Sequence, residues 1–428
     1  MFTSSKRRLG AAALGLSAAL ALAACSSGDS GDTAASEETT AEEAAPEETE
    51  EAAAEETTEE APEEEAAGEE ACVLPPGEIV IPSIDSMTGP AAFAGILAEK
   101  GADLAVAEIN ESGYLGEGVT LKIDVKDDTT APDVAASEFS KLAADPNVAV
   151  VLGPVISSGG VQVSPLAEDA GLPIVYTQAG SPGVVIGDYT FRMTPPMDSY
   201  WPGVTPWVEE NGVKTIGVIY DNANATLIAT AEGAVPKVAE AVGAEIVESI
   251  GLPTDTTDYK APVDKILAAN PDAVATLTTG ANNNTIISLL ADQGFTAENG
   301  KVLLGFAGIQ NNLTEIGDAG YGVSYASIFD LATENADSIK FIEAYKNFHG
   351  EDAANYGAER YDAVYLIADG MLAACNSTDR QAVRDGIAEV TSQPRTGALG
   401  SFSFEAQDIR VEPFITYWDG EKQVVGTP

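Results

Sequence analysis

The sequence predicts an α/β fold built as two lobes, each a parallel sheet wrapped by helices, with a cleft between them. Three observations carry this. From residue 78 onward, short apolar runs alternate with amphipathic stretches of helical length, the pattern of a parallel sheet with right-handed crossovers. Near residue 200 the alternation starts again, which gives a second lobe of the same class. A late helical block follows this completed second series, so the chain returns to the first lobe and the lobes are joined by several crossings.

The chain has 428 residues and a formal net charge of −47. Its length suits two or three domains. Lys6, Arg7 and Arg8 precede a short apolar run that ends in Leu22-Ala23-Ala24-Cys25, which reads as a secretory signal over residues 1–25. That ending also resembles a bacterial lipobox, which implies cleavage before Cys25 and its lipidation. Residues 26–71 hold 19 of the 68 acidic residues, no Lys or Arg, and no Val, Ile, Leu, Met or Phe. Such a composition cannot bury enough apolar surface to offset its ordering entropy, so a disordered acidic tether is expected there. Residues 72–428 keep 49 acidic and 18 basic residues, a surface that repels nucleic acid. With three cysteines and one histidine, His349, the chain is poorly stocked for zinc or for histidine general-base chemistry. No nucleophile elbow, zincin, P-loop or EF-hand pattern occurs, and no metal or cofactor is expected.

In order, residues 78–84 form an apolar strand, Ser86-Met87-Thr88-Gly89-Pro90 a turn, and residues 91–111 a helix whose Ile96, Leu97, Leu104 and Ala107 share one face. Residues 119–126 alternate strictly, as a half-exposed strand near a sheet edge does. A helix over 133–144 leads to the apolar run 148–152. The stretch 153–183 then reads as a turn carrying Ser157 and Ser158, a helix, a strand over 172–176, and a turn carrying Gln178, Ala179 and Ser181. Two polar turns at successive strand ends are where open parallel sheets bind ligands, and a helix N-terminus there offers unpaired N–H groups. The second series has helices over 200–211, 227–242, 259–269 and 284–293. Its strands span 215–220, 245–250, 273–277 and 302–304. Residues 323–329 read as a strand without a sheet of its own. Helices over 336–349, 361–374 and 380–390 and closing strands over 401–404 and 414–418 complete the chain. Cys72 and Cys375, the thiols that remain after lipidation of Cys25, are a disulfide candidate in an exported protein.

Together these residues resemble the extracytoplasmic solute-binding proteins of ABC transporters in the branched-chain amino acid and amide group, the leucine-binding-protein-like family, in a lipoprotein form. The resemblance rests on Ser86-Met87-Thr88-Gly89-Pro90, Asp127-Asp128, the G-P-V-I-S-S run at 153–158 and the E-D-A-G-L-P-I run at 168–174. Phe191-Arg192 and Tyr361-Asp362-Ala363 complete it. It implies a type I periplasmic-binding-protein fold, two Rossmann-like lobes on a three-crossing hinge. Lobe one would be 78–196 and 327–412, lobe two 197–326 and 413–428. It further implies a monomer, lipid-anchored to the outer face of the cytoplasmic membrane, that hands a small-molecule solute to an ABC permease.

By position, Ser157 and Ser158 match the family's oxygen-binding serines, and Gln178, Ala179 and Ser181 the turn that meets the ligand amino group. Phe93, Tyr176 and Trp201 are candidate aromatic walls, and Asn224, Thr279 and Gln310 candidate polar contacts at strand ends of the second lobe. Amino-acid-binding relatives carry a glutamate in the turn that here reads Gly305-Phe306-Ala307-Gly308, and Ala307 cannot pair with an ammonium. Burying that charge unpaired costs several kcal/mol, so the expected ligand is an amide, a urea-like compound or a carboxylate rather than a branched-chain amino acid, unless Asp221 or Glu359 takes the role. A sensory binding protein, a cleft hydrolase using Ser157 or Ser181, and a purely structural lipoprotein are the alternatives.

Overall fold

The computed structural model describes residues 72–428. The expected signal segment, the lipidation of Cys25 and the acidic tether over 26–71 lie outside the described residues, as does the side chain of Gln310. The chain begins with β1 (Gly77–Asp85), α1 (Ala92–Ser112), β2 (Val119–Asp127), α2 (Pro132–Ala143), β3 (Val151–Leu152), α3 (Ser157–Ala170), β4 (Ile174–Tyr176) and β5 (Thr190–Arg192). It continues through α4 (Met197–Tyr200), α5 (Thr205–Glu210), β6 (Thr215–Asp221), α6 (Ala225–Ala229), α7 (Val235–Val242), β7 (Glu245–Leu252), α8 (Lys260–Ala268), β8 (Ala273–Leu277), α9 (Gly280–Asp292), β9 (Val302–Leu304) and β10 (Val323–Ser327). It closes with α10 (Ala336–His349), α11 (Asn355–Ala373), α12 (Arg380–Thr391), β11 (Arg395–Gly397), β12 (Gly400–Glu405), β13 (Asp408–Arg410), β14 (Phe414–Trp418) and β15 (Gln423–Val425).

The strands form two sheets. One is ordered β11-β12-β13-β5-β4-β3-β1-β2, the other β15-β14-β10-β9-β8-β6-β7. In each, the strands of the βα repeats are parallel, and late strands add antiparallel pairings at one side, β11/β12 and β12/β13 in the first and β10/β14 and β14/β15 in the second. Both sheets are therefore mixed, a refinement of the wholly parallel expectation. The chain passes between them after β5, after β10 and after β13, which makes three crossings. β10 does have a sheet: it lies between β9 and β14.

Side-chain pattern explains the placements. Along β2, Val119 and Leu121 are buried while Thr120 and Lys122 are exposed, as suits a strand at the sheet edge with one solvated face. β6 and β8 are buried almost throughout, as central parallel strands covered on both faces must be. The helix expected over 227–242 is interrupted by a π turn at Thr230–Ala234, and the one expected over 200–211 by a 3-10 turn at Trp201–Val204. Among the described residues no helix is long and apolar enough to cross a membrane.

Two glycines set close approaches that fix the framework of the site. A Cβ on Gly153, which has φ +77°, would lie 2.0 Å from the Ile84 carbonyl oxygen, so β3 can end tight against β1 only without a side chain. A Cβ on Gly101 would lie 2.0 Å from the Gly357 carbonyl oxygen, which lets α1 and α11 pack backbone to backbone. Cys72 and Cys375 form a disulfide with Cα atoms 5.3 Å apart, which ties the start of the described chain to the residue just beyond α11. Inside lobe one, Arg360 of α11 is fully buried. It donates to Asp85 Oδ1 at 2.7 Å and Oδ2 at 3.0 Å, to Ser83 Oγ at 2.7 Å and to Thr177 Oγ1 at 3.1 Å. A buried guanidinium is tolerated only with such a full set of partners.

Candidate functional site

A cavity of about 380 Å³ lies where the carboxyl ends of strands from both sheets meet. Lobe one contributes Phe93 from α1, Ser157 and Ser158 from α3, Gln178 and Thr194 from the turns after β4 and β5, and Tyr356 and Glu359 from α11. Lobe two contributes Asp221 and Thr226, Thr279 after β8, and Ala307 after β9. Strand ends collect these residues because every βα unit of a parallel sheet turns on the same side, where the helices also begin.

α3 starts at Ser157 with Ile156 extended before it and no side-chain cap, so its first-turn N–H groups face the cavity unpaired by a cap. Ser157 Oγ accepts from Ser181 N at 3.2 Å and is 2.7 Å from Thr226 Oγ1. The second of these bonds crosses from lobe one to lobe two. α9 likewise begins behind Thr279 without a side-chain cap. By contrast α6 is capped: Asn224 Oδ1 accepts from the N–H groups of Thr226 and Leu227, so its carbonyl is committed although the residue lines the cavity.

The acidic lining is more pronounced than the sequence suggests. Glu359 is 1% exposed and Asp221 is 4% exposed. Glu359 Oε2 accepts from Gln178 N and Nε2, each at 3.0 Å, and from Thr194 Oγ1. Burial pushes the Glu359 carboxyl up to about 7, against these donors and the neighbouring Arg360, which hold it down. Burial also raises the phenols of Tyr200 and Tyr356, and the Glu359 charge raises them further. Asp221 accepts from Ala223 N at 2.8 Å and from Thr254 Oγ1 at 2.9 and 2.7 Å. Among the described residues the lining holds no Lys, Arg or His.

Gln178 has φ +58°, a region that a residue with a side chain occupies only when its surroundings enforce it. Its N–H to Glu359 is part of that enforcement. The side chain is fully used: Oε1 accepts from Thr177 Oγ1 at 2.7 Å, and Nε2 donates to Glu359 and to the Tyr356 carbonyl at 3.2 Å. Gln178 thus orients Glu359 more than it offers groups of its own.

Of the residues singled out in the sequence, Phe93, Ser157, Ser158, Gln178, Asn224, Thr279 and Ala307 line the cavity. Four do not, and their placement is corrected. Ala179 is buried beside β4, and its carbonyl accepts from Arg192 Nη1 at 2.9 Å instead of facing a ligand. Ser181 sits behind Ser157, and its carbonyl also accepts from Arg192 Nη1 at 2.9 Å. Trp201 is packed into the main hydrophobic core and Tyr176 into the core around β4, with its hydroxyl 2.8 Å from Ser164 Oγ; a large ring gains most from such burial. Thr194 and Tyr356 line the cavity and were missed. Tyr356, stacked on Phe93 with ring centres 6.1 Å apart, was missed because α11 begins at Asn355, well before the expected start at 361. The signal was Gly350, which ends α10 in the left-handed conformation; a usual short connection from there places the next helix start near 355. His349 is not part of the cavity; its Nε2 lies 2.8 Å from the Lys100 carbonyl. Among the described residues no group of His, Cys, Asp and Glu could hold a metal ion.

Residues 78–413 match the family model described as periplasmic binding protein. The leucine-, isoleucine-, valine-, threonine-, and alanine-binding protein of Pseudomonas aeruginosa is 27% identical over 337 residues, 77% of this chain and 87% of that protein. A solute binding protein of an ABC transporter from Rhodopseudomonas palustris, solved with 3,4-dihydroxy benzoic acid, superposes with a TM-score of 0.73 at 22% identity, covering 82% of this chain and 96% of that one. The branched-chain amino acid transporter substrate binding protein LivJ of Streptococcus pneumoniae, solved with isoleucine, has a TM-score of 0.71 at 25% identity, covering 82% of this chain and all of that one, 100%.

Proposed function

The chain belongs to the periplasmic binding protein family, and from that premise we propose that it is the solute-capturing lipoprotein of an ABC importer. It would be held by Cys25 to the outer face of the membrane and would present its closed, loaded form to a permease. The cavity at the strand ends of both lobes carries this reading, because closing the hinge desolvates a bound solute on all sides. The solute class is one with a carboxylate or carbonyl oxygen. With no cation in the lining among the described residues, that oxygen is met by the uncapped N-terminus of α3 and the hydroxyls of Ser157 and Ser158. No catalytic step is needed. The one histidine stands away from the cavity, and affinity comes from hydrogen bonds and burial.

A thermal-unfolding screen of the purified protein against amino acids, short amides, urea, keto acids and aromatic acids tests this. A solute at about 100 times its Kd stabilises the native state by roughly 2.7 kcal/mol, a shift of several degrees. Capture is supported if one class raises Tm in this way and Ser157→Ala reduces the effect. A flat response across all classes refutes it and favours a structural lipoprotein.

A further inference from the structure

Resting on the reading of this cavity as a solute site, we propose that Glu359 selects for solutes bearing an ammonium group, so that the ligand is a small zwitterion. Charge balance comes first. Two carboxylates, Glu359 and Asp221, line a cavity that, among the described residues, no Lys, Arg or His lines. A solute that is only an anion would bring a third negative charge into a space where water is largely excluded. One that also carries a cation is matched at both ends.

The second step separates the two carboxylates. Asp221 uses both its oxygens within lobe two, with Ala223 N on its own turn and Thr254 Oγ1 on the turn after β7. The three donors to Glu359 all converge on Oε2, and Oε1 is the acceptor that remains for a ligand. The neighbouring Arg360 acts on Glu359 only through space, as the smallest of its pulls, since its guanidinium is bound to Asp85 and lies 3.7 Å from Glu99. Among the described residues Glu359 has no ion-pair partner within 4 Å, the limit for a salt bridge. A solute N⁺–H donated to Oε1 supplies the missing countercharge, and the stacked rings of Phe93 and Tyr356 stand nearby as an apolar flank.

The third step is preorganisation. Gln178 is held at positive φ by the bond that also holds Glu359, so the carboxylate is fixed before any solute arrives. The anionic end of the solute then falls to Ser157 and Ser158 on the same lobe. Recognition of the cation has its carboxylate on α11 of lobe one instead of the turn at Ala307 in lobe two. The objection that Ala307 raised against an α-amino acid is thereby met.

Titration calorimetry of the purified chain tests this with matched pairs: each L-amino acid against the 2-oxo acid and the plain carboxylic acid of the same carbon skeleton, and benzoate against 4-(aminomethyl)benzoate. The expected result is a zwitterion that binds about 100-fold more tightly than its deaminated partner. In Glu359→Gln that zwitterion loses about 100-fold, while the deaminated partner changes by less than about 3-fold. Glu359→Gln keeps the shape and an acceptor oxygen for Gln178 and Thr194, and removes a buried charge, so it folds; circular dichroism and Tm check this. Tighter binding of a deaminated acid, or an equal loss for both partners in the variant, overturns the assignment and leaves solute capture standing. Failure of every probe to bind wild type overturns both.

Discussion

Acidification is the most informative perturbation of this cavity, because stability and affinity are expected to move in opposite directions. The Glu359 carboxyl is raised from its ordinary 4.5 to about 7 in the folded protein. The folded state therefore holds this proton more tightly than the unfolded chain does. Its contribution to stability is full below about pH 4.5 and is lost as pH rises through about 7, a change of roughly 3 kcal/mol at 1.36 kcal/mol per unit. Binding an ammonium group needs the ionised form, so the solute must expel the proton. Below pH 7 the apparent affinity of such a solute should fall tenfold per unit, about 100-fold or roughly 2.7 kcal/mol near pH 5. The groups that face Glu359 are Gln178, Thr194, Tyr200 and Tyr356, which stay neutral here, and the permanently charged Arg360; Asp221 stands across the cavity. The assay is calorimetry at a series of pH values in buffers of different ionisation enthalpy, which counts protons released on binding. Release of close to one proton near pH 5, absent in Glu359→Gln, is expected. A pH-independent affinity with no proton release refutes the reasoning.

Three further outcomes follow from the geometry. Arg360→Met leaves Asp85 buried without its countercharge and should cost about 3–5 kcal/mol in urea unfolding, with loss of binding because Thr177 and Gln178 lose their anchor. Gly101→Ala puts a Cβ 2.0 Å from the Gly357 carbonyl; the resulting strain of about 1–3 kcal/mol outweighs the gain in helix propensity and lowers the denaturation midpoint. Thr226→Val removes the hydroxyl that meets Ser157 across the cleft; losing about 1 kcal/mol of closed state shifts the open-to-closed ratio roughly fivefold, visible as a larger radius of gyration in solution scattering without solute.

What could be read in the sequence follows the length of each signal. The βα repeats stood out because strands such as β2 and β6 are long enough to show their period. β5, β11, β13 and β15 are three residues each, too short for any period, and β5 and β13 are joined across 216 positions. Ser157 and Ser158 were legible because a polar turn after an apolar run marks a strand end. Trp201 was not, since whether a ring faces a cleft or a core depends on the helix break at Trp201–Val204, which the side-chain pattern does not encode. Ala179 misled because its carbonyl is claimed by Arg192, and Ser181 because it is buried behind Ser157, to whose Oγ its N–H donates. The charge pair of Arg360 and Asp85 spans 275 positions, beyond any local pattern, and so the firm seating of Glu359 could not be foreseen.

Arg192 also bears on how the molecule comes into being. Its guanidinium holds the turn behind Ser157 and pairs with Asp408, 216 positions later. β1 waits likewise for Arg360. Lobe one is thus unfinished until almost the whole chain has been made, whereas the βα core of lobe two is assembled from the continuous stretch 215–327. During synthesis from the N-terminus, the βα core of lobe two can form while β10 still lacks β14 and lobe one still exposes β5 without its later neighbour β13. Solute capture, which draws on both lobes, becomes available only in the last step of folding, so a chain truncated before Asp408, which also lacks β14 and β15 of the second sheet, should retain neither a complete lobe nor binding.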